Sequence, residues 1–180
     1  MMTMRPATIM LAVVAAFAMA PLVSLSHDGP VPLALPAERD GWIELGTRIH
    51  GGFGTLIALG IRIGDDAMRT LKAKPRELDV TYFSGAEAPC PCVVDGILAA
   101  TSASPGQSSL RVSAERAAAG EFGKAVIRHR PTGATIEYVI PMSAWPALRD
   151  ANKLPVVARW NAVMQAADDA LFVRREVARQ

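Results

Sequence analysis

Leu56, Gly60, Ile63, Ala67 and Leu71 recur at helical spacing while Arg62, Asp65, Asp66 and Arg69 fall on the other side, which predicts an amphipathic helix over residues 54–71. Lys74 and Pro75 end it. Immediately after it, residues 78–83 (LDVTYF) alternate and are rich in β-formers, so they predict a strand. A long helix running straight into an alternating strand calls for a domain that mixes the two.

The rest of the chain fits that mixture. The segment 84–91 (SGAEAPCP) is a loop, and an apolar helix is expected over 93–100, stopped by TSASPG at 101–106. Strands are expected at 110–114, 125–130 and 135–140, the last two joined by the tight turn Arg130-Pro131-Thr132-Gly133. Residues 145–151 and 155–170 read as helices, and 171–177 (LFVRREV) as a closing strand. The expected fold is α+β, a mainly antiparallel sheet with helices packed on one side. There is no internal repeat and no sign of a second domain.

The N-terminus is of a different kind. Arg5 precedes the uncharged apolar run 9–23 (IMLAVVAAFAMAPLV), which is short for a bilayer core of about 20 apolar residues and contains Pro21. A cleaved signal peptide over 1–26 is expected, with Ser24 and Ser26 before the cut, Ala18 and Ala20 as a competing cut, and a retained anchor as the alternative. The product would be periplasmic or secreted, with no membrane span after removal of the leader. Residues 27–40 begin as a proline-rich arm, and the domain proper spans 41–178. Of the 180 residues 51% are apolar and 20% charged, so the chain is not disordered. A net charge of +2, without basic runs interleaved with aromatics, excludes a nucleic-acid partner.

Two places hold residues suited to chemistry. In Ile49-His50-Gly51-Gly52-Phe53-Gly54-Thr55, Gly51, Gly52 and Gly54 let a ligand approach the backbone at the start of the helix, with His50 at the entrance. The Lys and Ser or Thr of a phosphate loop are missing. In Pro89-Cys90-Pro91-Cys92-Val93-Val94-Asp95, both cysteines of the chain stand at the mouth of the next helix, where the helix dipole favours thiolates. Spacing alone leaves three states open there: a strained disulfide, a metal-binding pair, or inert thiols. His129, between Arg128 and Arg130, is expected on an exposed strand face, and Asp168 and Asp169 in solvent at a helix end. His27 would chelate copper only if it became the first residue. No Ser-His-Asp set or paired carboxylates stand out.

The run 50–62 (HGGFGTLIALGIR) resembles the HGHxCPGLALGYR-type motif of the FmdE family, which takes its name from formylmethanofuran dehydrogenase. The run 92–110 (CVVDGILAATSASPGQSSL) is similar to its CxxDAIQxxTGCTPGKGNL stretch, and the Thr132-Gly133 turn and ALFVRREV at 170–177 are similar to later segments. The resemblance implies an α+β core with a metal site, commonly zinc, in which His50 matches the first histidine and Cys92 and Asp95 match the CxxD. Three family positions depart, at Gly52, Gly54 and Ala103, and the core is expected without the cysteine-rich zinc ribbon that many members carry after the last strand, the sequence ending at Gln180. What remains is a candidate site for zinc or copper made of His50, Cys90, Cys92 and Asp95, with both sulfurs expected as thiolates around the ion and Asp95 orienting a ligand. A thiol–disulfide protein using Cys90 and Cys92, or a non-catalytic module binding a small ligand or a protein, stand as alternatives. Formylmethanofuran chemistry itself does not suit an exported chain lacking these motif residues.

Overall fold

The computed structural model describes residues 35–177. The elements run α1 (Arg39–His50), α2 (Thr55–Thr70), β1 (Leu78–Ser84), α3 (Val93–Thr101), β2 (Leu110–Val112), β3 (Glu121–His129), β4 (Thr135–Pro141), α4 (Trp145–Ala151), α5 (Val156–Met164), α6 (Asp168–Leu171) and β5 (Val173–Val177). The strands form one sheet in the order β2-β1-β3-β4-β5. Only β1 and β2 pair in parallel; the other three pairs are antiparallel. This is the α+β class expected. The leader at 1–26 and the first part of the arm, together with Ala178, lie outside the described residues. Among the described residues no helix is long and apolar enough to cross a membrane.

Alternation decides which face of the sheet is covered. Leu78, Val80 and Tyr82 of β1 are buried, as are Ala125 and Ile127 of β3 and Ile136, Tyr138 and Ile140 of β4, all in one core with α2 and α3. The opposite face carries Asp79, Lys124, Arg128 and Glu137, joined in cross-strand ion pairs.

The helices α2 and α3 cross at glycine. A Cβ on Gly60 would stand 2.8 Å from the Cα of Gly96, and one on Gly64 2.7 Å from the Cβ of Ala100. Such distances admit no side chain, so the two backbones touch. The helix α2 is consequently less one-sided than its sequence suggests, because α1, α3, α5 and the sheet all lean on it. Even its charged residues Arg62 and Asp66 are only 15% and 17% exposed.

Four expectations need correction. A helix, α1, occupies residues that carried no helical pattern, and it takes over the end of the supposed arm. The helix expected over 155–170 divides into α5 and α6, because the Arg62 guanidinium takes the carbonyls of Val163 and Ala166 at the end of α5. Asp168, expected to end a helix, instead begins α6; it meets solvent as expected, 68% exposed, and pairs with Arg62. His129 is buried rather than exposed: it shares the inward face of β3 with Ala125 and Ile127, and its ring meets Thr132 Oγ1 at 2.9 Å and Glu77 Oε2 at 3.3 Å.

Candidate functional site

His50 is the last residue of α1. The helix stops there because Gly51 turns left-handed (φ 87°) and its N–H bonds the Thr47 carbonyl at 2.8 Å, a termination that favours glycine. Phe53 then enters the core and packs against Trp160, ring centroids 6.2 Å apart. The start of α2 is engaged by the protein itself. The Thr55 N–H donates to Asn152 Oδ1 at 3.0 Å, the Thr55 hydroxyl to the Leu148 carbonyl at 2.9 Å, and Arg159 to the Phe53 carbonyl at 2.7 Å.

Two of the three glycines therefore have separate structural jobs, and Gly52 has none. Gly51 stops α1, a Cβ on Gly54 would stand 3.0 Å from Asn152 Oδ1, and one on Gly52 would meet nothing within 4 Å. Sequence reasoning missed Asn152 and Arg159, which lie 97 and 106 residues from the backbone groups they hold.

On the other side of the site, the chain leaves β1 and returns to α3 through Pro89, Cys90 and Pro91. Cys92 is the N-cap of α3, and Asp95 lies in its first turn. Cys90 and Cys92 are joined in a disulfide with their Cα atoms 5.3 Å apart. Both half-cystines are half-buried, and the proline between them is exposed. The Nδ1 of His50 lies 2.7 Å from Asp95 Oδ2, with side-chain exposures of 32% and 36%. A carboxylate only accepts, so Nδ1 carries the hydrogen and Nε2 is left as the free nitrogen of the ring.

His50, Cys90 and Cys92 are walls of two adjoining cavities. The larger, a groove of about 600 Å³, continues along Asp95, Leu98 and Val112. The smaller, about 190 Å³, is closed by Gly54, Trp145 and Asn152. The four residues expected as metal ligands thus meet in one groove, but as a disulfide beside an Asp–His pair and not as two thiolates with an imidazole.

That donor set does not fit zinc or copper. The two sulfurs are bonded to each other, so neither is the thiolate that a soft ion requires. With Nδ1 held by Asp95, Nε2 of His50 is the single imidazole donor left to an ion. Among the described residues no group of three or more His, Cys, Asp or Glu side chains is placed to hold an ion. The positions where the family's motifs offer further ligands are Gly52, Gly54 and Ala103, and Ala103 is fully buried.

No curated protein matches the chain. The profile of the family described as "FmdE, Molybdenum formylmethanofuran dehydrogenase operon" matches residues 49–172, from just before His50 through the cystine and Asp95 to the start of β5, and the chain belongs to that family.

Proposed function

We propose that this protein is an exported thiol–disulfide exchange protein in which the Cys90–Cys92 bond reacts and His50, oriented by Asp95, moves the proton. One observation carries it: the cystine forms part of a cavity wall together with an Asp–His pair. A bond between residues only two apart closes a very small loop. It therefore removes little entropy from the unfolded chain and does not serve as a staple. The domain already has a full apolar core. An accessible position at the head of a helix, where a departing thiolate is stabilised by the helix dipole, suits a bond that opens and closes.

The exchange balances within the groove. A substrate thiol gives its proton to Nε2 of His50, and its thiolate attacks one sulfur of the cystine. The Cys90–Cys92 bond breaks as the mixed disulfide forms, and the other cysteine leaves as a thiolate that takes the proton back. A second substrate thiol, losing its proton to solvent, displaces the protein sulfur, which is protonated in turn. The substrate leaves as a disulfide, and the protein, two electrons richer, as a dithiol. An external disulfide resets it.

Export supplies the oxidising surroundings in which such a pair cycles, and the apolar run after Arg5 supports it. Zinc or copper would need the dithiol form, so an ion site here would exist only after reduction.

The test is thiol counting on the mature protein before and after dithiothreitol, with metal analysis of both forms. The expected result is no titratable thiol and no stoichiometric metal before reduction, two thiols after it, and recovery of the cystine on addition of oxidised glutathione. Thiols that bind zinc or copper stoichiometrically as isolated, and that do not form the cystine, would replace redox chemistry with a metal site.

A further inference from the structure

Resting on the thiol–disulfide assignment, we infer that the substrate is an extended cysteine-bearing polypeptide that adds to the sheet as a strand beside β2. Among the described residues β2 is an edge strand, with no strand paired to its outer side. The Val80 N–H bonds the Ser109 carbonyl at 2.7 Å, and the Ser113 N–H bonds the Tyr82 carbonyl at 2.8 Å. With the parallel register Val80↔Leu110 and Tyr82↔Val112, residues 109, 111 and 113 turn their backbone groups toward β1. Those of Leu110 and Val112 then point the other way, as the slanted parallel ladder requires.

A short edge strand bearing an arginine is by itself an ordinary guard against aggregation. What sets this edge apart is the groove beside it. The same groove is lined by the cystine and His50 at one end and by Leu110, Arg111 and Val112 at the other, with Val94 and Leu98 between. Val112 is 47% exposed. Apolar walls next to unpaired strand groups are the two components of strand addition: main-chain bonds hold the guest, and pockets receive its alternate side chains.

Charge selects the guest further. Arg111 is exposed on this edge and forms no ion pair among the described residues. A carboxylate on the incoming strand complements it, as opposite charges do across neighbouring strands. The guest is therefore an extended segment with a cysteine and a nearby acidic residue, whose thiol meets the Cys90–Cys92 bond as described above.

The experiment uses the oxidised mature protein and an eight-residue blocked peptide with one cysteine and one aspartate, following mixed-disulfide formation by mass. Glutathione at equal concentration is the comparison. The peptide should react about tenfold faster than glutathione, and N-methylation of its alternate amides should remove that advantage by deleting two backbone bonds. Arg111→Glu should slow the aspartate peptide and speed the same peptide carrying lysine. If peptide and glutathione react at equal rates, indifferent to N-methylation and to Arg111→Glu, the strand-adding guest is wrong and the exchange chemistry stands. If neither thiol opens the cystine, the exchange assignment itself fails and takes the guest with it.

Discussion

The Nδ1 of His50 lies 2.7 Å from Asp95 Oδ2, so the last residue of α1 is tied to the first turn of α3, three residues beyond Cys92. The pair does two things at once. It fixes the tautomer that leaves Nε2 free, and it holds the ring where the cystine's cavities begin. Replacing Asp95 by Asn removes the carboxylate but keeps the side chain's size. We expect His50→Ala to slow reaction of the cystine with dithiothreitol on the order of 100-fold, the usual weight of a general base. Asp95→Asn should slow it less, because the ring keeps its proton-accepting Nε2 but loses the carboxylate that orients it. Equal rates for wild type and His50→Ala, at every pH, would remove His50 from the chemistry.

That geometry depends on how near α3 can come to α2. A side chain on Gly60 would stand 2.8 Å from the Gly96 Cα, and backbone offers no rotamer by which to yield. Gly60→Ala gains helix propensity of at most about 1 kcal/mol. Overpacking costs about 1–3 kcal/mol, with the upper end expected where the obstacle is main chain. The net is a loss. Thermal unfolding should show a midpoint lowered by several degrees, whereas Gly52→Ala, which meets nothing within 4 Å, should leave it unchanged. A Gly60→Ala protein as stable as wild type would mean that α2 and α3 do not touch there.

Arg62 is more exacting than its place on a supposed polar helix face suggests. Its guanidinium takes the carbonyls of Val163 and Ala166, pairs with Asp168 and lies 5.9 Å from the Phe172 ring centroid. Asp168 is 68% exposed, so the ion pair is well screened and worth under about 1 kcal/mol. The two carbonyls lose buried donors when Arg62 is removed, at about 1–3 kcal/mol. Urea unfolding should therefore show Arg62→Met clearly destabilised and Asp168→Asn nearly neutral. The reverse order would assign the stability to charge.

What the sequence disclosed follows from the range over which each signal acts. The periods that define α2, β1, α3 and the β3–β4 hairpin are local, and they were legible. Helix α1 was not, because Gly41 and Gly46 interrupt its pattern. Gly46 is small for a tertiary reason: a Cβ there would meet Ile57 and the Phe53 ring at about 3 Å. His129 was misplaced because its charged neighbours point outward while alternation turns it inward. At the site, the approach of His50 to Asp95 and Cys92 followed from two motifs in order. The state of the sulfurs did not, since spacing permits thiolates and a disulfide alike. The partners of the glycine loop, Asn152 and Arg159, arrive from α4–α5 and leave no local trace.

Glu77 gives the fold a dependence on acid whose sign is fixed by its surroundings. Its carboxylate accepts the Lys74 N–H at 2.8 Å and faces Nε2 of the buried His129 at 3.3 Å. The backbone bond first, and the histidine second, hold Glu77 below its ordinary value of 4.5. A carboxyl depressed on folding contributes stability that is fully present above its unfolded value and is lost as pH falls through the folded one. Glu77→Gln has no such carboxylate and forfeits that contribution at neutral pH. Denaturant titrations should find the variant less stable than wild type at neutral pH, with the gap narrowing as pH drops below 4.5, the ordinary value. His129→Gln in the same series should shrink the gap without abolishing it, because the Lys74 N–H remains. A gap that is constant across the acid range would show that Glu77 acts through its shape and not through its charge.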